Sequence, residues 1–184
     1  MTWEPELEEL RQRQALAREM GGPDKIARQR AAGRLTVRER IGALLDSGSF
    51  HEIGSITGNG AYDETGALQS MTPTNFLFGR GLIEGRRVVV AGDDFTVRGG
   101  ASDASIIEKQ VAAEQMAHEL RLPMIRLIEG SGGGGSVKSL EAMGYTYVPF
   151  LPGFDHMVRN LATVPVVSLG LGPIAGFGAA KVVQ

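Results

Sequence analysis

The chain has no cysteine, a single tryptophan and only 6% aromatic residues. Without cysteine there is no disulfide framework and no thiolate zinc site, and thiol redox chemistry is excluded. Charge of one sign is also missing. The 19 Lys and Arg residues almost balance 21 Asp and Glu, for a net charge of -2, so there is no strongly basic footprint for nucleic acid. No stretch approaches the roughly 18 apolar residues of a membrane span, and the amino-terminal "MTWEPELEELRQRQ" is acidic and polar where a signal peptide would be apolar. The expectation is a cytoplasmic globular protein that engages neither membrane nor nucleic acid. The histidines, His51, His118 and His156, are scattered, and no metal site is expected.

What the sequence has in quantity is glycine, with 26 residues, on a 42% hydrophobic background. A chain of 184 residues suffices for one domain that buries roughly 70% of its unfolded surface. Residues 5–20, rich in Glu, Leu, Arg and Gln, read as an exposed helix stopped by "GGP" at 21–23, and a second helical stretch starts near Asp24. "TVRE" at 36–39 has the spacing of a capping box, with Thr36 and Glu39 satisfying orphan N–H groups of a helix that runs to Leu45. Residues 55–71 show no clear period and read as loop with at most one short strand.

From Asn75 the order sharpens. "NFLFGRGLI", then Glu84-Gly85, then "RRVVVAGDDF" predicts a β-hairpin with Gly85 available for a positive φ. The apolar run 88–91 marks a strand buried on both faces. In residues 105–120, Ile106, Ala113, Ala117 and Leu120 recur at helical intervals. "PMIRLIEG" at 123–130 and "PVVSLGLG" at 165–172 are further strands, with a helix around 154–161 between them. Strands that alternate with helices imply parallel pairing, because a parallel pair cannot be joined by a tight turn.

Each of these strands runs into small residues: "AGDD", "EGSGGGGS" and "GPIAGFGAA". Ligands of such folds collect at the carboxyl ends of the strands. "GGGGSVKS" at 132–139 misses the phosphate-binding pattern by one residue, since Val137 stands where a glycine must precede the lysine. "GLGPIAG" is a loose dinucleotide fingerprint interrupted by Pro173. A tight turn is the plainest reading of any one of these loops. "GPIAGFGAA" at 172–180 best suits another use: it has no acid, base or nucleophile, yet backbone N–H groups at a helix start can hold a developing oxyanion with no side chain involved. Asp93 and Asp94 read more readily as turn and cap residues than as catalytic ones.

Four blocks in order, "GRLTVRERIGALLDSGSFHEIG" (33–54), "GRGLIEGRRVVVAGDDFTVRGGAS" (79–102), "GSGGGGSV" (130–137) and "GPIAGFGAA", resemble the amino-terminal part of the carboxyltransferase β subunits of biotin-dependent acyl-CoA carboxylases, the propionyl-CoA and methylcrotonyl-CoA carboxylase type. The resemblance implies an α/β, crotonase-like spiral of ββα units, here incomplete, with residues 1–50 as an N-terminal helical extension and 51–184 as a partial N-domain. It implies transfer of a carboxyl group from carboxybiotin, carried on a partner, to the α carbon of an acyl-CoA through a thioester enolate. It places the enolate hole at the N–H groups of Gly176 and Phe177, CoA contacts at Arg34, Arg38, Arg98, Gly99 and Gly100, and a substrate loop at Ser131, Gly132 and Gly133. Where many relatives have Asp-Ser-Gly-Gly-Ala, this chain has Glu129-Gly130-Ser131-Gly132-Gly133, and where they have Gly-Gly it has Gly176-Phe177. The implied partners are a biotin carboxylase or biotin carboxyl carrier subunit and further copies of the full-length chain. A biotin-dependent decarboxylase subunit and a non-catalytic CoA-binding or assembly fragment are the alternative readings.

Overall fold

A computed structural model describes residues 2–101, 106–130, 140, 141, 144 and 154–183. The described elements, in chain order, are helices α1 (Glu4–Arg18), α2 (Pro23–Ala31) and α3 (Val37–Leu44), strands β1 (His51–Ile53), β2 (Gly58–Tyr62), β3 (Leu68–Pro73), β4 (Phe76–Ile83) and β5 (Arg86–Asp93), a 3-10 turn at Arg98–Gly100, α4 (Ile107–Leu120), β6 (Met124–Gly130), α5 (Phe154–Thr163), β7 (Val166–Ile174) and α6 (Phe177–Val183). The central sheet has the order β1-β4-β5-β6-β7. Its first three strands are antiparallel neighbours, and β5, β6 and β7 are parallel.

The hairpin between β4 and β5 turns on Glu84 and Gly85, at φ 49° and 75°, a turn whose twist matches that of the strands it joins. Beyond it Val88, Val89, Val90 and Ala91 are all buried, because the sheet is covered on both faces. On one face α3 and the residue that follows it set Val37, Ile41 and Leu45 against Leu77, Val88, Val90, Ile125 and Leu127. On the other α4 sets Ala113 and Ala117 against Phe76, Phe78, Val89, Ala91 and Met124. The capping box forms as expected: Glu39 N–H donates to Thr36 Oγ1 at 3.3 Å, and Thr36 N–H donates to Glu39 Oε2 at 2.7 Å.

Two expectations need correction. Residues 55–71 are not mainly loop: β2 and β3 pair as an antiparallel hairpin. Its turn is built by Asp63, whose Oδ1 accepts from Thr65 N–H, Thr65 Oγ1 and Ala67 N–H at 2.9, 2.6 and 3.0 Å. The ribbon lies against α1, where Arg13 donates to the Tyr62 hydroxyl, so tertiary packing supplies what periodicity did not signal. Second, β7 continues past Gly172 to Ile174, so the first residues of "GPIAGFGAA" are strand. Pro173 is tolerated there because the β6–β7 register shifts between Ile128 and Gly130, which leaves 171–173 without ladder partners on the last strand of the described sheet.

"GGP" does more than stop α1. Gly21 N–H donates to Thr96 Oγ1 at 2.9 Å, and a Cβ at Gly21 would collide with the Thr96 carbonyl. The helical segment is thereby docked onto the loop that follows β5.

Candidate active site

The carboxyl ends of β5, β6 and β7 come together, and their glycines set the distance of approach. A Cβ on Gly100 would lie 2.7 Å from the Glu129 carbonyl oxygen, and one on Gly130 would lie 2.8 Å from the Gly100 oxygen. The Arg98–Gly100 turn therefore touches the end of β6 main chain to main chain, with Arg98, Gly99 and Gly100 all at positive φ, 52°, 64° and 66°. The Gly130 carbonyl then accepts Ala175 N–H at 3.1 Å. That bond ties the end of β7 to the end of β6. Gly176 follows at φ 57°, exposed, and α6 begins at Phe177. The expected substrate-loop residues Ser131, Gly132 and Gly133 lie outside the described residues.

Beneath these loops is a group of charges that sequence reasoning did not assemble. Glu129 is 1% exposed. Its carboxylate accepts from Gln29 Nε2 at 3.1 and 2.9 Å and pairs with Arg34 at 3.3 Å and Arg40 at 2.6 Å. Arg40 Nη2 also donates to the Leu171 carbonyl at 3.1 Å. A Cβ on Gly172 would collide with the Glu129 carboxyl group. Glycine at 172 is therefore required by a side chain on the neighbouring strand.

Asp93 accepts Glu129 N–H at 3.3 Å. Burial pushes its carboxyl up to about 6, opposed by Lys181, by the hydrogen bond from Glu129 N–H and by Arg40, while the Glu129 charge adds to the rise. Burial lowers the Lys181 amine; Asp93 and Glu114 pull it back up and Arg126 works against them. Lys181 donates to Gln110 Oε1 at 3.0 Å and lies 5.0 Å from the centre of the Phe177 ring. Asp94 has the local role expected of it, accepting Thr96 N–H and Oγ1 at 2.9 and 2.6 Å. Asp93 instead reaches across to β6.

The arginines singled out in the sequence part company. Arg34 is about one-third exposed, stands 5.6 Å from the centre of the Phe95 ring, and that ring also borders Gly99. Arg34 and the Arg98–Gly100 turn thus share one patch. Arg38 is turned toward β1, where it makes a forked pair with Glu52 at 2.8 and 3.3 Å. Among the described residues no group of three or more metal-ligating side chains converges, and no helix is long and apolar enough to cross a membrane.

Residues 28–182 match the model of the carboxyl transferase domain. The chain belongs to that family. It is 34% identical to the propionyl-CoA carboxylase beta chain of Roseobacter denitrificans, over 92% of this chain and 32% of that one. It is 27% identical to the methylmalonyl-CoA decarboxylase subunit alpha of Veillonella parvula, over 95% of this chain and 33% of that one. Among solved structures, transcarboxylase 12S with methylmalonyl-coenzyme A and methylmalonic acid bound superposes with a TM-score of 0.72 at 25% identity, over 98% of this chain and 34% of that one. The fold is the crotonase-like α/β class that the motifs implied, and the resemblance to biotin-dependent acyl-CoA carboxyltransferase subunits is confirmed. The chain spans about a third of the length of the relatives it matches.

The sequence signal for the buried charges was present but indirect. Gln29, Arg34 and Arg40 lie 100, 95 and 89 positions before Glu129, a separation no local pattern bridges. The one local clue was an acid at the end of a strand buried along its whole length, where an unpaired carboxylate would be costly.

Proposed function

We propose that this chain is the acyl-CoA-binding part of a carboxyltransferase that moves a carboxyl group to the α carbon of an acyl-CoA. The observation that carries the reading is the junction of β6 and β7, where Gly130 receives Ala175 N–H and Gly176 turns at φ 57° into α6. When bound, carboxybiotin on a partner subunit supplies the carboxyl group and the base. The chain's own task is then to stabilise the thioester oxygen as it gains charge. Main-chain N–H groups of Gly176 and Phe177 suit that task, since a donor aimed at a developing oxyanion commonly contributes 100-fold or more in rate.

The residues present fit an acyl-CoA. Gly99, whose side-chain position meets only the edge of the Phe95 ring at 3.9 Å, leaves room for a bulky group to approach the main chain, while Gly100 holds that turn against β6, and Arg34 offers a partly exposed guanidinium beside Phe95. Arg98 completes that patch, whereas Arg38 would reach a phosphate only by leaving Glu52. Lys181 lies beside the Phe177 ring, and neither it nor Asp93 has an assigned proton to move. The full-length protein, on this reading, is a homo-oligomer that works with a biotin carboxylase and a biotin carboxyl carrier. The similarity to a methylmalonyl-CoA decarboxylase subunit favours a second reading, the same site run toward loss of the carboxyl group.

The test is an assay of the protein with its natural biotin-bearing partners, following carboxyl transfer to propionyl-CoA and longer acyl-CoAs. Gly176→Pro, which removes a donor and cannot adopt φ 57°, should lower kcat by about 100-fold. Phe177→Ala keeps its N–H and should retain most activity. No transfer to any acyl-CoA would overturn the reading, and net decarboxylation of a malonyl-type CoA would move it to the second.

A further inference from the structure

The Glu129 carboxylate and the Arg40 guanidinium are both almost fully enclosed, at 1% and 7% side-chain exposure. Desolvating such a pair is costly, and apolar side chains of the same volume often give equal or greater stability. The gap between α3 and β6 needs no charge to be filled. What an ion pair adds is direction. Arg40 Nη2 is shared between Glu129 Oε2 and the Leu171 carbonyl, so one nitrogen from α3 sets the relative height of β6 and β7. The Glu129 carboxyl occupies the space beside Gly172, and the next residue, Gly130, takes Ala175 N–H. Gln29 and Arg34 supply further donors to the carboxylate, which restricts its rotation. Residues 171–175 are thus gripped at three points, all referred to Glu129 or its neighbour, immediately before Gly176.

We propose that Glu129 and Arg40 are positioning residues for carboxyl transfer, acting through their ion pair to fix the main-chain donors at 176–177 relative to the end of β6. The inference rests on the function proposed above for that turn. A misplacement on the order of 1 Å at a reacting centre costs about 100-fold in rate, so a device holding the turn to that tolerance has a kinetic consequence that fold stability does not reveal.

The experiment uses the protein with its natural partner subunits and compares three variants: the apolar pair Glu129→Leu with Arg40→Met, the shape-preserving Glu129→Gln, and Arg40→Lys. Thermal stability, kcat and KM for the acyl-CoA, and hydrogen exchange at the Ala175 amide are measured on each. The apolar pair should melt at or above the wild-type temperature, with kcat lowered about 100-fold, KM within about threefold, and faster exchange at Ala175. Arg40→Lys, which keeps the charge but not the planar guanidinium, should recover part of kcat. If the apolar pair fails to fold, Glu129→Gln carries the same expected split between kcat and KM. Wild-type kcat in the apolar pair, a kcat loss that merely tracks lost stability, or unchanged exchange at Ala175 would overturn the proposal. Should the wild-type protein show no carboxyl transfer, the functional reading fails by itself. The Ala175 amide then still decides whether the ion pair fixes the end of β7 against β6: faster exchange in the apolar pair supports that positioning and unchanged exchange overturns it.

Discussion

Gly172 of β7 and Glu129 of β6 contend for one volume: the hydrogen that stands for a side chain at 172 faces the Glu129 carboxyl, and any Cβ there would overlap it. The barest motif of the chain is therefore bare partly on account of a fully enclosed acid beside it.

Gly172→Ala should accordingly destabilise the protein by about 2 kcal/mol, the range of overpacking a filled interior. The same substitution made together with Glu129→Ala should cost less than the sum of the two single changes, because the second removes the atoms that the first strikes. Denaturant unfolding of the four proteins in the cycle gives the coupling. Additive costs would mean that Gly172 is required for another reason.

CoA binding should distinguish the two arginines. Arg34 stands beside Phe95 and Gly99 and gives one nitrogen to Glu129 at 3.3 Å, whereas Arg38 gives both terminal nitrogens to Glu52. Arg34→Ala should weaken CoA binding severalfold and reduce its salt sensitivity, since exposed charges are screened over roughly 8 Å at physiological ionic strength. Arg38→Ala should change CoA affinity little and stability more. Calorimetry with CoA at two salt concentrations checks both, and equal losses of affinity for the two variants would return Arg38 to the binding patch.

The hairpin β4–β5 and the parallel β5, β6 and β7 were legible because each rests on a local signal: Gly85 at the turn, the doubly buried run 88–91, and the helical recurrence that ends at Leu120. The capping box at Thr36 and Glu39 was legible for the same reason, as two side chains three residues apart satisfy each other's main chain. The β2–β3 ribbon was missed since its strands are mostly exposed and depend on α1 for cover. At the candidate site, the meeting of the glycine loops followed from topology, but the Glu129 cluster did not. Its donors come from α2, the segment before α3, and α3 itself, and only the folded chain brings them to β6.

Glu114, Arg126 and Asn160 form a second enclosed polar group, between α4, β6 and α5. Arg126 makes a two-pronged pair with Glu114 at 2.8 and 3.1 Å, and Asn160 Nδ2 donates to the Glu114 carboxylate at 2.8 Å and to its carbonyl at 2.9 Å. Removing one member strands a buried charge, so Arg126→Ala should cost about 3–5 kcal/mol. Arg126→Met with Glu114→Leu should restore much of that loss. Chemical unfolding of both variants tests the expectation, and a small effect of Arg126→Ala would show that water reaches Glu114 when the guanidinium is gone.

Asp93 should give the protein a distinctive dependence on pH. Its carboxyl is raised from 3.8 to about 6, chiefly by burial, so the folded chain holds that proton more tightly than the unfolded chain does. The associated stabilisation is fully present below about pH 4, declines as pH rises through 6, and is absent above it. Two pH units correspond to about 3 kcal/mol at full strength, and partial access of water to the side chain reduces this to about 2 kcal/mol. Asp93→Asn keeps an oxygen to accept Glu129 N–H but has no charge to desolvate. The variant should match the wild type near pH 4 and exceed it by about 2 kcal/mol at pH 7.5. Other carboxylates titrate in the same window, so the quantity to measure is the difference between the two proteins across pH 4–8, by denaturant unfolding at each pH. If Asp93→Asn is instead the less stable protein at pH 7.5, the attraction of Lys181 for the Asp93 carboxylate outweighs burial, and the pair is a stabilising contact of α6 on the sheet.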